Sequence, residues 1–173
     1  MIFQYYQKIR DLLFLLPPEY SHKFALNTLN LLRQCGYPKT ILPSSPVKIM
    51  GLTFPNAVGF AAGLDKNAEF MSGLFHLGVG FLEVGSVTPQ ARAGNPSPRL
   101  FRLPEYQALI NRMGLPNHGI EKIIPRLKNR EKTDAILGVN LSKNMETTTE
   151  NTPGDYEQGI QAIYDYADYI TIN

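Results

Sequence analysis

Over most of the chain, short apolar runs alternate with helix-like segments, and this alternation restricts the possible folds more than any other feature. The stretch 56–69 (NAVGFAAGLDKNAE) predicts a strand, a turn of small residues and a helix that begins near Asn67. Residues 81–85 (FLEVG) predict the next strand, so a strand, a helix and a strand follow within about 30 residues, as in the βαβ unit of a parallel sheet. Strands at 135–141 and 169–173 continue the alternation. The predicted fold class is therefore α/β, either the first half of an eight-stranded barrel or a small open sheet.

The segments between the strands differ in character. One helix is predicted from about His118 to Leu127, and another runs from Asp155, as its N-cap, to Ala167. Residues 86–104 are long for a loop, rich in proline and basic residues, and carry no helical pattern. A loop of this length inside a compact domain is usually functional or disordered.

The four predicted strands are followed, or ended, by polar side chains. These are Lys66, Ser86, Asn140 and Asn173. Ligands bind at the carboxyl ends of strands in α/β sheets and barrels, so these groups can converge on one ligand. Residues 61–63 (Ala-Ala-Gly) also remove side-chain bulk, which leaves room for a flat ligand on the backbone. The alternative is a set of ordinary turn residues, with Asp65 and Lys66 as a solvated pair.

Two helices are predicted before the sheet. They occupy 1–16 and 18–34, with Pro17 and Pro18 between them and a linker at 37–46. Both place Leu, Phe and Tyr side chains at helical spacing. Such helices can pack on the following domain, or lie in a membrane interface with basic residues at the headgroups. The residues alone leave both interpretations open.

Composition and charge exclude several classes of protein. The net charge of +2 is too small to indicate a nucleic-acid partner. Cys35 is the single cysteine and has no neighbour at metal-ligand spacing, so neither a disulfide nor a metal site is predicted. No apolar run approaches the roughly 18 residues that span a bilayer, and no signal-peptide pattern is present. We therefore expect a cytoplasmic protein, either soluble or peripherally bound to a membrane.

Several long motifs occur in one enzyme family in the same order and spacing. They are NAVGFAAGLDKNAE at 56–69, GSVTPQARAGNPSPRLFRLPEYQALINRMG at 85–114, GVNLSKN at 138–144 and YITIN at 169–173. In these motifs the chain resembles the class 2, membrane-associated dihydroorotate dehydrogenases. The resemblance implies an FMN-containing (β/α)8 barrel that oxidises dihydroorotate to orotate in pyrimidine synthesis and passes the electrons to a quinone. It implies a helical cap at 1–40 and the N-terminal half of the barrel at 45–173.

The same resemblance implies roles for individual residues. The implied FMN contacts are Ala62, Gly63, Lys66, Ser86, Asn140 and Asn173. The implied contacts to dihydroorotate or orotate are Lys66, Asn111, Arg112, Met113, Gly114, Leu115 and Asn173. Lys66 is thus expected to touch both flavin and substrate, where a cation suits the negative charge of a reduced flavin.

The resemblance also gives the N-terminal helices a function. They are expected to rest on the inner (cell) membrane and to open a tunnel for the quinone, lined by His22 and Arg102. The catalytic base of the family is a serine that relatives carry three positions beyond the position of Asn173. We therefore expect the 173 residues alone not to turn over dihydroorotate.

One segment departs from the family pattern. Relatives usually read Met-Gly-Phe-Asn-Asn where this chain has Met-Gly-Leu115-Pro116-Asn. Leu115 lacks the aromatic ring beside the substrate, and Pro116 lacks both an amide side chain and a backbone donor. We expect weaker orotate binding as a result. The alternatives are a non-catalytic fragment or degenerate copy that acts as a binding module, and an FMN barrel with another substrate.

Overall fold

The computed structural model describes residues 6–173. Its elements, in chain order, are α1 (Tyr6–Phe14), α2 (Pro18–Gln34), β1 (Val47–Ile49), β2 (Leu52–Phe54), β3 (Gly59–Phe60), α3 (Met71–Phe75), β4 (Phe81–Val87), β5 (Leu100–Leu103), β6 (Ala108–Asn111), α4 (Ile120–Lys128), β7 (Ile136–Leu141), α5 (Thr152–Ile163) and β8 (Tyr169–Ile172). A short 3₁₀ turn separates β5 from β6. None of the helices described here combines the length and the hydropathy that a membrane span requires.

The central element is a four-stranded parallel sheet in the order β3-β4-β7-β8. A helix stands in each connection between neighbouring strands, with α3, α4 and α5 in turn. The strands lie side by side in chain order, as successive strands do in a (β/α)8 barrel. Two antiparallel hairpins, β1–β2 and β5–β6, flank this sheet. This is the strand order predicted for the first half of a barrel.

The core lies between the sheet and its helices. Alternate residues of β4 and β7 are fully buried there, and α4 and α5 cover them. The fully buried members are Leu82, Val84, Leu137 and Val139 from the strands, with Ile123 and Ile163 from the helices. Because side chains alternate along a strand, the other face of the sheet carries a different set, which includes Glu83 and Asn140. That second face leads to the site described below.

Side-chain hydrogen bonds join the N-terminal helices to the rest of the chain. The side chain of Asn30, on α2, accepts a hydrogen bond from the backbone N–H of Gly73 on α3 at 3.0 Å. Arg102, on β5, donates to the carbonyl oxygen of Leu16 at 2.8 Å and to the hydroxyl of Ser21 at 2.9 Å. The boundary between a cap at 1–40 and a domain at 45–173 remains a prediction. Residues 1–5 of the predicted first helix lie outside the described part.

The prediction that a helix begins near Asn67 is wrong. The helix starts only at Met71 and has five residues. Before it, the carboxylate of Asp65 accepts hydrogen bonds from three backbone N–H groups, the shortest at 2.7 Å. Ala68 has a φ of +54°, which is incompatible with a right-handed helix. The segment therefore wraps around a buried carboxylate instead of continuing as helix.

The predicted N-cap role of Asp155 is wrong. Helix α5 begins earlier, at Thr152, with a proline in its first turn, where the fixed φ of proline suits a helix. Asp155 lies inside that first turn. Its Oδ2 accepts hydrogen bonds from the backbone N–H of Asn144 at 2.7 Å and from the hydroxyl of Thr147 at 2.8 Å. The carboxylate thus closes the polar loop that precedes the helix.

Candidate functional site

A cavity of about 810 Å³ opens at the carboxyl ends of the parallel strands. This volume lies in the range of about 300–1,000 Å³ that small-molecule sites occupy. The strands and their turns contribute Ala62, Gly63, Lys66, Ser86, Asn140 and Asn173. The segment after β6 contributes Met113, Leu115 and Pro116, next to Asn111 at the end of that strand. Helix α2 contributes Glu19 and His22, so the predicted cap forms part of the wall.

Three predicted site residues lie beside the cavity rather than in its lining. Arg112 donates from Nε and Nη2 to the carbonyl oxygen of Pro98, at 3.3 and 3.1 Å. Gly114 has a φ of +71°, and an added Cβ would stand 2.7 Å from atoms of Asn95. Arg102 stacks on the ring of Phe14, with its guanidinium carbon 4.5 Å from the ring centroid. Its hydrogen bonds to Leu16 and Ser21 place it at the turn between α1 and α2.

The backbone turn at Gly63 forms an open floor. Gly63 donates its N–H to the carbonyl oxygen of Gly85 at 2.8 Å, and Gly85 donates to that of Asp65 at 3.0 Å. The φ of Gly63 is +100°, a value that L side chains rarely adopt. A Cβ added there would meet no heavy atom of the described residues within 4 Å. The turn is therefore tied to the neighbouring strand and leaves free space above it, which fits a planar group such as a flavin ring.

Lys66 and Asp65, at this turn, have different environments. The Nζ of Lys66 donates to the carbonyl oxygen of Gly63 at 2.6 Å. Burial lowers the pKa of Lys66, while the charge of Glu19 opposes that change. Asp65 is only 1% exposed, and burial raises the pKa of its carboxyl group against its three backbone hydrogen bonds. The alternative of a solvated Asp-Lys pair is therefore wrong for Asp65.

An ion pair at the edge of the cavity was not predicted from the sequence. Arg99 donates from Nε and Nη2 to the two carboxylate oxygens of Glu19, at 2.9 and 2.7 Å. The hydrogen bond from Arg99 lowers the pKa of Glu19. Burial lowers the pKa of the nearby His22, and the charge of Lys66 adds to this effect. Since the partners are 80 residues apart, no local sequence pattern indicates this pair.

Three of the polar residues at the strand ends form one hydrogen-bonded row. The hydroxyl of Ser86 donates to Oδ1 of Asn140 at 2.5 Å, and Nδ2 of Asn173 donates to the Ser86 oxygen at 2.9 Å. Asn140 in turn donates to Glu83 at 2.9 Å. Lys66, the fourth residue named at a strand end, lines the same cavity but donates to the Gly63 carbonyl instead. Glu83 was missed, although a charged residue inside the apolar run FLEVG was a signal for it.

The fold and the site together define a class of protein. A parallel α/β sheet in barrel order, with a cavity and a group of polar side chains at the carboxyl ends of its strands, is the arrangement in which α/β-barrel enzymes bind their ligands. The chain belongs to the dihydroorotate dehydrogenase family, whose model matches residues 44–173. This finding confirms the resemblance drawn from the motifs.

Individual relatives give the same result. The chain is 51% identical to the dihydroorotate dehydrogenase (quinone) of Marinobacter nauticus over 171 residues, which is 97% of this chain and 50% of that protein. It is 50% identical to the enzyme of the same name from a Marinomonas species, over 97% of this chain and 49% of that one.

A solved structure confirms the α/β fold and the partial barrel. The crystal structure of the Eimeria tenella DHODH in complex with ferulenol is 38% identical and superposes with a TM-score of 0.78. The match covers 90% of this chain and 43% of that one. The chain spans about half the length of the curated relatives it matches.

Proposed function

We propose that this chain provides the flavin- and substrate-binding half of a quinone-dependent dihydroorotate dehydrogenase, an oxidoreductase that acts in pyrimidine biosynthesis. The observation that carries the proposal is the cavity at the strand ends, where ten of the thirteen residues implied by the resemblance share one lining. The relatives described above bear the name of this enzyme. The comparisons therefore do not favour a non-catalytic binding module.

FMN is the proposed cofactor, and the floor of the cavity supports it. Ala62, Gly63 and the turn after them leave free backbone surface for the ring. Ser86, Asn140 and Asn173 offer amide and hydroxyl groups to its polar edge. Held by these residues, FMN would supply the two-electron redox chemistry that links dihydroorotate to a quinone.

Lys66 is proposed to lie between cofactor and substrate. Its ammonium group, partly buried and held by the Gly63 carbonyl at 2.6 Å, supplies a fixed positive charge beside the ring. A cation in a desolvated site stabilises negative charge more strongly than one in water. Lys66 is therefore expected both to favour the reduced cofactor and to bind the carboxylate of orotate.

The segment 111–115 is proposed to hold the substrate. Asn111, Met113 and Leu115 line the cavity, which supports this role for their side chains. Arg112 and Gly114 lie beside it, so we assign them to shaping the segment through Pro98 and Asn95. Because Leu115 and Pro116 supply no aromatic ring and no amide, we propose that orotate binds here with fewer contacts than in relatives.

The N-terminal helices are proposed to carry the quinone and membrane contacts. His22 lines the cavity and Arg102 stands at the α1–α2 turn, so both lie on the side from which a quinone would enter. Apolar side chains on these helices are exposed, with Leu12 at 68% and Leu15 at 79%. Exposed apolar side chains near basic residues favour a peripheral position on the inner membrane.

Cofactor binding is tested by titrating FMN into the 173-residue chain and following the quenching of flavin fluorescence. We expect saturable binding, and a Kd about tenfold higher in Lys66→Met, since a charge-assisted contact is lost. Lys122→Met is the matched control, because Lys122 is exposed on α4, away from the cavity lining. Absence of saturable binding, or equal effects of the two substitutions, would refute the proposed site.

Membrane binding is tested separately by flotation with vesicles that contain anionic lipid. The chain is expected to float with the vesicles, and the double substitution Leu12→Glu and Leu15→Glu is expected to leave it in the soluble fraction. Ile41→Glu is the control, because Ile41 is 91% exposed but belongs to the linker. If the linker variant detaches as completely as the helix variant, or the parent chain does not float, the membrane role of the helices is wrong.

A further inference from the structure

Glu83 lies on β4 at the centre of a hydrogen-bonded cluster that reaches the cavity. Its Oε1 accepts from Nδ2 of Asn140 at 2.9 Å. Its Oε2 accepts from the hydroxyl groups of Tyr169 and Thr171, both at 3.0 Å. Donors from β7 and from β8, the next strand beyond it, thus converge on one carboxylate of β4, on the face of the sheet opposite the helices.

We propose that Glu83 is a positioning residue that fixes the direction of the hydrogen bonds through Asn140, Ser86 and Asn173. An ionised carboxylate accepts hydrogen bonds and cannot donate them. The amide nitrogen of Asn140 must therefore face Glu83, which leaves its carbonyl oxygen toward Ser86. The Ser86 hydroxyl must then donate, at 2.5 Å, so its oxygen is left to accept from Asn173, at 2.9 Å.

This direction does not depend on how each amide group is assigned. The oxygen and nitrogen of an asparagine side chain are nearly alike in shape, and their orientation is normally inferred from the surrounding bonds. Here the carboxylate supplies an unambiguous end point. A serine or amide in place of Glu83 both donates and accepts, and would allow either direction.

The direction of these hydrogen bonds determines which donors and acceptors face the cavity. With one N–H of Asn173 bonded to Ser86, the carbonyl oxygen and second N–H of Asn173 remain for a ligand. Ser86, Asn140 and Asn173 therefore present one fixed pattern of donors and acceptors. The assignment of FMN as the ligand that hydrogen-bonds to these groups rests on the function proposed above. Glu83 itself acts through Asn140, since Glu83 is absent from the lining that the described residues give the cavity.

Tyr169 strengthens the arrangement without belonging to the row. Burial raises the pKa of its phenol, and the charge of Glu83 adds to this. The phenol therefore keeps its proton and remains a donor to Glu83 at neutral pH. Its hydrogen bond goes to the carboxylate oxygen that does not contact Asn140, so Tyr169 provides a control inside the same cluster.

The test is to record side-chain amide signals by NMR in chain labelled with ¹⁵N-asparagine, together with the Kd for FMN. In Glu83→Gln the direction is no longer imposed, so the Asn140 and Asn173 amide signals are expected to shift or split. The Kd for FMN is expected to rise about tenfold, as for a misdirected hydrogen bond. In Tyr169→Phe both amide signals are expected to stay, and the Kd to change by less than about twofold.

Two results would overturn the proposal. One is a Glu83→Gln chain whose amide signals and FMN affinity match those of the parent. The other is a Tyr169→Phe chain that loses affinity as much as Glu83→Gln does, because that outcome indicates a general packing role. If the parent chain binds no FMN at all, the proposed function fails, while the amide signals still decide whether Glu83 orients the row.

Ser86→Ala provides the second variant if Glu83→Gln does not fold. Removing the hydroxyl breaks the row between the two asparagines. The Asn173 amide signal is then expected to move to a solvent-like position, while the Asn140 signal remains that of an amide bonded to a carboxylate. A change of the Asn140 signal equal to that of Asn173 would contradict an anchor at Glu83.

Discussion

Breaking the ion pair between Glu19 and Arg99 is expected to loosen α2 from the cavity. Glu19 stands in the first turn of α2, and Arg99 lies in the long loop just before β5. The two groups meet through two hydrogen bonds, and the Arg99 side chain is 15% exposed against 35% for Glu19. Nη1 of Arg99 also donates to the carbonyl oxygen of Ala93 at 2.7 Å. One guanidinium thus joins the predicted cap to the loop beside the site.

The expected loss of unfolding free energy follows from this geometry. Exposed ion pairs contribute about 0.2–1 kcal/mol, and solvent screening of Glu19 keeps the pair within that range. Its bidentate form places it near the upper end, so Glu19→Gln is expected to cost about 1 kcal/mol of unfolding free energy. Arg99→Met also removes the bonds to backbone carbonyls and is expected to cost about 2 kcal/mol. The coupling energy of the pair is then about 0.5–1 kcal/mol.

The pH dependence has a definite sign. The pKa of Glu19 is lowered in the folded chain by its hydrogen bond from Arg99, relative to an ordinary value of 4.5. A lowered carboxyl pKa contributes stability that is present above the unfolded-state pKa and disappears as the pH falls through the folded-state pKa. The difference in unfolding free energy between the parent and Glu19→Gln is therefore expected to be largest at neutral pH. It is expected to vanish in acid, as the pH falls below 4.5.

The assay is a double-mutant cycle in urea, with unfolding followed by circular dichroism at two salt concentrations. The parent chain, Glu19→Gln, Arg99→Met and the double variant give the coupling energy directly. High salt is expected to reduce it, because exposed charges are screened. A coupling energy indistinguishable from zero at low salt, or a Glu19→Gln effect that persists unchanged in acid, would refute the argument.

Three further substitutions have expected outcomes that urea unfolding can measure. Gly80→Ala is expected to cost about 2 kcal/mol, because the added Cβ would overlap the carbonyl oxygen of Asn56, a backbone atom that cannot rotate away; no loss would mean that the backbone at Asn56 or Gly80 can shift. Asp65→Ala is expected to cost about 3 kcal/mol through its three backbone hydrogen bonds, and a loss below about 1 kcal/mol would show that water replaces them. Met50→Asn is expected to stabilise by about 0.5–1 kcal/mol, since Met50 has a φ of +50° in a two-residue hairpin turn, is 78% exposed and precedes Gly51; a destabilised variant would contradict this reasoning.

Most helices and strands could be predicted from the sequence, because the patterns that indicate them are local. The short apolar runs at 81–85 and 135–141 located β4 and β7. The proline pair between the first two helices placed their boundary, with Pro18 in the first turn of α2. Each of these features depends on residues within a few positions of one another, which is the range over which periodicity and turn chemistry act.

The hydrogen-bond partners of the carboxylates were much harder to predict from the sequence, and for a common physical reason. Asp65 was considered for a solvated pair and Asp155 for a cap, yet each is bonded to backbone or side chains that precede or follow it in a folded loop. Glu19 and Glu83 have partners 80 and 57 residues away. A buried charge needs partners to offset its desolvation, but the sequence does not say which distant segment supplies them. Polar partners of this kind follow only from the three-dimensional arrangement.

The departure at Leu115 and Pro116 can now be separated into a backbone and a side-chain part. The neighbouring Asn117 is buried, and its Nδ2 donates to the carbonyl oxygen of Leu115 and to the hydroxyl of Thr88, both at 2.9 Å. Its Oδ1 accepts from the N–H of Gly119, also at 2.9 Å. These bonds hold the loop from its far side, and none of them uses the Leu115 or Pro116 side chain. The altered side chains are therefore not needed for these bonds, so we expect the loss of orotate affinity to come mainly from missing contacts in the cavity.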